Sequence, residues 1–377
     1  MRTNNNRGER NVKFRISKDD LLNAINTVSK GMSSRSTLPI LSGILLETTD
    51  QGKLVFQTTD LEISIKHATS ANIEEPGRCV IPGKLLADIV KSLPDASIEV
   101  STQDEQAHIT CLDSSFTLSA LNPADFPYFP QVNPSTTIVL PPAELADAVR
   151  CVGKAVSRDE SRIILTGIFF AVKDGIVTLA ATDSYRLAVA EIPVPNSDVN
   201  DFSAIIPGKT FDEVCRLALS SDSVSVGFSE NQVLITFGET IFVSRKIEGT
   251  YPNYKQLIPA DHEVSIQADS QALITAIKRV AILAQSHTPI RFQFSAEGQN
   301  VTISANTADV GGASEVVGAE VDGPSMEIAF NHQYILDGLN MIKGDVLIEL
   351  QSSLKPGILK SVDKEDFLYL AMPVRLN

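Results

Sequence analysis

The chain has 377 residues, 43% of them hydrophobic and 21% charged, with a formal net charge of −14. That composition is one of a folded globular protein and excludes a disordered chain, and no apolar run reaches the roughly 18 residues of a membrane span. So acidic a balance also excludes nucleic-acid binding over the whole surface, while leaving a local basic surface open.

Residues 1–11 are polar, with three Asn in a row and no apolar stretch, so they read as a flexible extension rather than a secretory signal. Val12 to Ile16 alternates as a strand, Ser17 is placed to cap, and Asp19 and Asp20 suit a first helical turn. Leu21, Leu22, Ile25, Val28 and Met32 then share one face, which predicts a helix over 17–32. Strand-like alternation such as Lys53 to Gln57 leads to Pro82-Gly83-Lys84, where Leu85, Leu86, Ile89, Val90 and Leu93 predict a second helix over 83–95. The cycle restarts after Pro130 to Pro134. Leu145, Val149, Val152 and Val156 predict a helix over 142–159, and Phe211, Val214, Cys215 and Ala218 predict one over 208–220, behind Pro207-Gly208-Lys209. After Pro252 to Pro259 come helices over 269–285, on Leu273, Ile277, Val280 and Ala284, and over 331–345, on Ile335, Leu339 and Ile342.

This is one unit stated three times, at a spacing of about 124 residues. Ser42-Gly43-Ile44 returns as Thr166-Gly167-Ile168, and Thr59-Asp60 returns as Thr182-Asp183. Ile328-Ala329-Phe330-Asn331 stands where Ala204-Ile205-Ile206-Pro207 does. So long a period signifies repeated domains rather than a short-repeat solenoid. The expected organisation is the 1–11 extension followed by three tandem α+β domains, 12–133, 134–260 and 261–377, each with two helices on antiparallel sheets.

A search for chemistry finds none. Gly208-Lys209-Thr210 resembles the end of a phosphate loop, but Ser203 stands where that loop needs a glycine, so the segment reads as a repeated helix start. His67, His108, His262, His287 and His332 show no metal-ligand spacing, and Cys79, Cys111, Cys151 and Cys215 form no CxxC pair. No metal site or cofactor is expected, and the cysteines read as buried reduced thiols. Because the Thr-Asp pair recurs with the repeat, it reads as a turn rather than an acid/base pair. The six predicted helices together carry no net charge, so all the acidity lies elsewhere. In the third helix Arg150, Lys154 and Arg158 recur every four residues opposite the apolar face, as a solvated face or a phosphate-facing one would.

Several longer motifs carry a family resemblance: Thr37-Leu38-Pro39-Ile40-Leu41, Thr58-Thr59-Asp60-Leu61-Glu62, Ala124-Asp125-Phe126-Pro127, Ala181 to Ala188, Tyr251-Pro252-Asn253-Tyr254 and Tyr369 to Leu376. In this order and spacing they resemble the bacterial replicative sliding clamp, the beta subunit of DNA polymerase III, from about Val12 to the end. The resemblance implies a head-to-tail homodimer closing into a ring of six similar domains around double-stranded DNA, with helices inside and sheets outside. It implies no enzymatic activity, and a cytoplasmic, nucleoid-associated role in processive DNA replication. Its partners would be DNA of any sequence, a second copy of the chain, the polymerase catalytic subunit, the clamp loader and repair proteins, with no membrane.

On the same resemblance, Arg35 and Lys84 match basic positions facing DNA, and Arg150, Lys154, Arg158, Lys209 and Lys278 join them from helix placement. The pocket for partner peptides would comprise Leu165, Thr182, Ser184, Tyr185, Arg186, Leu187, Pro252, Leu257, Leu370, Met372, Pro373, Val374 and Arg375. Without the family, Leu187, Leu257 and Met372 read as ordinary core residues. Gln256, where a basic residue is common, and Val374, where a longer side chain occurs, suggest a shifted peptide preference. Phe116 and Leu118 would meet Ile282 and Leu283 of the other subunit, although these four also read as intradomain core. A three-domain scaffold or adhesion protein would share the repeat, but needs neither basic helix faces nor the terminal Met-Pro-Val-Arg-Leu segment.

Overall fold

Among the described residues each of six α-helices follows on a strand. The computed structural model describes residues 11–33, 37–103, 105–194, 200–284, 289–307 and 310–375. Strand Lys13–Ser17 ends on the cap of α1 (Lys18–Val28), where the Ser17 hydroxyl accepts from the Asp20 N–H at 3.1 Å. Arg78–Pro82 leads into α2 (Gly83–Ser92), Thr136–Leu140 into α3 (Pro142–Gly153), and Phe202–Pro207 into α4 (Gly208–Leu217). Val264–Asp269 leads into α5 (Ser270–Val280), where the Asp269 carboxylate accepts from the Ala272 N–H at 2.6 Å. Met326–Phe330 leads into α6 (His332–Leu339), capped by Asn331, which accepts from the Gln333 N–H at 2.9 Å. The recurring Pro-Gly has a packing cause. A Cβ on Gly83 would lie 2.1 Å from the Met32 sulfur, and one on Gly208 would lie 2.9 Å from the Val156 side chain.

All six helices are shorter than their apolar periodicity predicts. The last turns of α1 and α4 tighten into 3-10 turns at Ser29–Gly31 and Ala218–Ser220. The third helix matters most, because it stops at Gly153 instead of Asp159. Ala155 N–H closes on Val152 O at 3.0 Å, and then Ser157 Oγ accepts from Asp159 N–H and Asp159 Oδ1 from Ser161 N–H. These local side-chain bonds compete with the helix and end it. Val156, which continued the helical pattern in sequence, packs beside Gly208 instead. Lys154 and Arg158 therefore leave the helix, and a single helical face of Arg150, Lys154 and Arg158 is not formed.

The strands among the described residues form four sheets, antiparallel throughout. An eight-stranded sheet takes 136–140, 224–228, 232–237 and 240–245 from the second repeat and continues through 63–70, 53–59, 43–48 and 78–82 of the first. The join is 240–245 against 63–70, with Phe242 opposite Ile65. A nine-stranded sheet likewise joins 202–207, 167–173, 176–182 and 186–193 of the second repeat to five strands of the third, through 186–193 against 367–371. Two smaller sheets remain. One has five strands and ends on 114–119; the other has four and ends on 311–318.

Because sheets run from one repeat into the next, the chain gathers into two compact units. One holds the described residues through Pro142 with Glu213–Lys246, and the other holds Ala143–Asp212 with Ile247 onward. Each packs its helices on its sheets, with Phe14, Phe56, Leu21 and Ile25 fully buried in the first and Phe170, Phe211, Phe294 and Tyr369 in the second. All four cysteines are free and buried, and burial pushes the Cys79 thiol up to about 12 and Cys151, beside Asp147, up to about 11.

Candidate functional site

The Thr-Asp pairs are turns, built identically in two repeats. Thr182 Oγ1 donates to Arg186 O at 2.7 Å and accepts from Ser184 N–H, while Asp183 Oδ1 accepts from the N–H groups of Tyr185 and Arg186. Thr59 and Asp60 repeat each bond, to Ile63, Leu61 and Glu62. Both turns carry a left-handed non-glycine residue, Ser184 at φ 80° and Leu61 at φ 78°.

The second-repeat turn opens onto the site. Leu187 and Leu370, opposite one another in the 186–193 and 367–371 pair, belong to a buried cluster with Ala180, Val189, Ile205, Tyr251 and Tyr254. Phe169 stacks on Tyr251 at 5.2 Å, and the Tyr251 hydroxyl accepts from the Thr182 N–H at 3.1 Å. Burial holds the Tyr251 phenol well above its ordinary range, so it stays neutral. Above this floor the apolar side chains are open to solvent: Tyr185 is 58% exposed, Leu257 45% and Met372 37%. Met372 N–H donates to Tyr185 O at 2.8 Å and Val374 N–H to Ala329 O at 2.8 Å, which hold the terminal segment alongside the turn.

The thirteen expected pocket residues thus divide. Thr182, Leu187 and Leu370 are buried and shape the floor, and Leu165 is nearly so. Ser184, Tyr185, Pro252, Leu257, Met372, Val374 and Arg375 are exposed, with Pro373 half-buried. Leu257 and Met372 are therefore not core residues, whereas Leu187 is. Arg186 is half-buried and fully engaged. Its Nε donates to Asp183 at 3.0 Å, its Nη1 reaches Asp337, and its guanidinium carbon lies 4.6 Å from the centre of the Tyr334 ring. Burial opposes the charge, but Tyr369, Asp337 and Asp183 outweigh it, and Arg186 is held protonated more firmly than a free arginine. Tyr185 stacks on the same ring, 6.3 Å from Tyr334 between centroids.

Sequence reasoning missed Arg162, Tyr334 and Asp337. Tyr334 and Asp337 stand three apart on α6, a spacing that places them on one face but names no partner. Arg162 lies within the 3-10 segment Glu160–Thr166 and gives no local signal of its contact with the turn.

The basic residues show a second division. Lys84, Lys154, Arg158, Lys209 and Lys278 are exposed and, among the described residues, form no ion pair. Arg150 is half-buried, bound to Asp147 and set 3.3 Å from the Met341 sulfur, so its charge is already answered. Arg35 and His287 lie outside the described residues. Strand Ser114–Ser119 is a sheet edge carrying half-buried Phe116 and Leu118 on one face; Ile282, just beyond α5, is 79% exposed and Leu283 half-buried.

Comparison with known proteins accounts for nearly all of the chain. Three family models match in order: the N-terminal, central and C-terminal domains of the DNA polymerase III beta subunit, over residues 12–130, 139–253 and 255–375. Among relatives, the beta sliding clamp of Synechocystis sp. is 33% identical over 97% of this chain and 100% of its own length, and that of Streptomyces coelicolor 34% over the same shares. Among solved structures, the DNA polymerase sliding clamp of Bacillus subtilis superposes with a TM-score of 0.92 at 29% identity. The Pseudomonas aeruginosa sliding clamp bound to griselimycin gives 0.90 at 29%, and both comparisons cover 97% of this chain and 100% of the other.

Proposed function

Because the chain belongs to the DNA polymerase III beta subunit family, and is thus a sliding clamp that aids replication without catalysing it, we propose that it closes head to tail with a second copy around duplex DNA. The observation that carries this is the pair of unfinished sheets. Inside the chain, strands 240–245 and 367–371 each join the matching half-sheet of a neighbouring repeat. Their equivalent in the first repeat, 114–119, has an edge that no strand among the described residues covers, as does 311–318, the third-repeat equivalent of 63–70 and 186–193. Five strands and four would complete a nine-stranded sheet, the size of the larger of the other two. An apolar edge left open invites aggregation; one paired in a closed ring does not. Exposed Ile282 and half-buried Leu283 lie beside this join on the proposed reading, against Phe116 and Leu118 of the other copy.

Topology then retains the clamp on DNA, and phosphate contacts need supply only a weak, sequence-independent hold. We assign that hold to Lys84, Lys209 and Lys278 first, to Lys154 and Arg158 with them, and to Arg35. Arg150 is the weakest member of the set because Asp147 already neutralises it. The domains are taken as 12–133, 134–260 and 261–377 after the 1–11 extension.

The site around Tyr185, Leu257 and Met372 suits the apolar anchors of an extended peptide, over a floor that cannot collapse because Leu187 and Leu370 already fill it. We assign it to short segments of the polymerase catalytic subunit, the clamp loader and repair proteins, and expect it to take griselimycin as well. The deciding experiment is the solution mass with negative-stain imaging. Two chains of 40.7 kDa forming a ring with a central hole support the reading; a compact monomer at all concentrations would overturn it.

A further inference from the structure

Arg162 bonds to the wall of the pocket although it was not among its expected members. Its Nη1 donates to Asp183 O at 3.2 Å and to Ser184 Oγ at 3.1 Å, its Nη2 to Ser157 Oγ at 3.3 Å, and its Nε to Asp159 at 3.0 Å. Ser157 N–H in turn donates to Leu165 O at 2.9 Å. One guanidinium therefore ties the segment bearing Leu165 to the turn bearing Ser184, Tyr185 and Arg186, and its planar fork suits several fixed acceptors at once.

The first repeat separates this tie from the turn itself. There Thr59 and Asp60 build the same turn with Leu61 left-handed, while Leu38 stands at the position of Arg162. The turn's own bonds thus form with a leucine at the position of Arg162, and what Arg162 adds is the connection across to the Glu160–Thr166 segment. Resting on the peptide-pocket reading above, we propose that Arg162 is a positioning residue: acting through Asp183 O and Ser184 Oγ, it fixes the Tyr185 side of the pocket relative to the Leu165 side.

A tie of this kind acts on how long a ligand stays, since the anchors themselves are unchanged. With fluorescein-labelled griselimycin as probe on the full-length protein, Arg162→Ala should raise the dissociation rate about tenfold and Ser184→Ala about threefold. Because the two residues share one hydrogen bond, which Arg162→Ala already removes, the double variant should match Arg162→Ala alone within about twofold. Arg162→Lys, which keeps the charge but not the fork, should not rescue. Hydrogen exchange without any ligand should be faster at the Tyr185 and Arg186 amides in Arg162→Ala, with the urea midpoint little changed. Unchanged exchange at those amides, or dissociation rates that simply multiply in the double variant, would overturn the positioning role. Failure of the unmodified chain to bind the probe, or full binding by Met372→Ala, would instead sink the pocket reading on which it rests.

Discussion

Arg186 lies over the ring of Tyr334, so that a strand of the second repeat is pinned to a helix of the third. Asp183 and Asp337 complete the pin, and both carboxylates are largely buried. Removing the cation would strand two charges. Arg186→Ala should cost about 3 kcal/mol of stability and lower the urea midpoint, whereas Arg186→Ala with Asp337→Asn should recover part of it. Equal midpoints for the single and double variants would show that the charges are not coupled.

The pocket's apolar residues differ in what their loss would report. Leu187 is wholly buried, and truncating it would cost about 2–5 kcal/mol of folding stability whatever the pocket does. Met372 and Leu257 are exposed. Met372→Ala and Leu257→Ala should keep the melting temperature within a few degrees yet weaken griselimycin binding by at least about tenfold, read by fluorescence polarisation. Unaltered affinity in both would move the site elsewhere.

The proposed join between copies has a register. Following the pairing of Phe242 with Ile65 and of Tyr369 with Ala188, Phe116 should face Ala313 of the other copy, and Ser115 should face Ser314. Directly opposed antiparallel residues bring their Cα atoms to about 4.5–5.5 Å, within disulfide reach. A Ser115→Cys, Ser314→Cys chain should oxidise to a covalent two-chain species on a denaturing gel, while either single variant should not. The four native thiols are buried and give a low background. Crosslinking by one single variant alone would mean a different contact.

The basic residues predict a salt slope. Replacing Lys84, Lys209 and Lys278 with Ala should flatten the dependence of DNA association on salt by roughly 0.9 per lysine in logarithmic slope, with the dimer intact. Arg150→Ala should change it little, because Arg150 is paired. A large effect of Arg150 with none of the lysines would invert the assignment.

Burial holds the His67 imidazole below its ordinary range, with Glu239 opposing weakly, and its Nδ1 meets Thr240 Oγ1 at 2.9 Å. Between that lowered value and the ordinary 6.5, the unfolded chain binds a proton that the native chain does not. Stability is therefore full above pH 6.5 and falls as the pH drops below it. Burial lowers His332 too. His67→Gln should flatten the fall in melting temperature between pH 7.5 and 5.5; parallel curves would exclude His67 as a source.

Features held within a few residues were legible in the sequence. The Thr-Asp turns, the cap at Ser17, and the helix starts at Gly83 and Gly208 are all local chemistry. Helix ends were not, because at Gly153 the apolar pattern runs on through Val156 while Ser157 and Asp159 bond their own backbone. Alternation marked the strands but could not say that 240–245 would leave its own repeat to pair with 63–70. The motifs named the members of the proposed pocket, yet which of them are buried and which exposed depends on tertiary packing. Arg162 and Asp337 meet their partners 21 and 151 residues away, a distance that no local pattern spans.

Strands that pair across repeats also set an order of events during synthesis. Strand 63–70 emerges about 170 residues before 240–245, the strand that covers its edge. At about 5–20 residues per second, that edge stays open for roughly 10 to 30 s. The nascent first repeat is thus a half-sheet awaiting its complement, exposed to other growing chains on the same message. The pairing that makes the mature chain continuous makes its youth the interval when a holding chaperone would matter most.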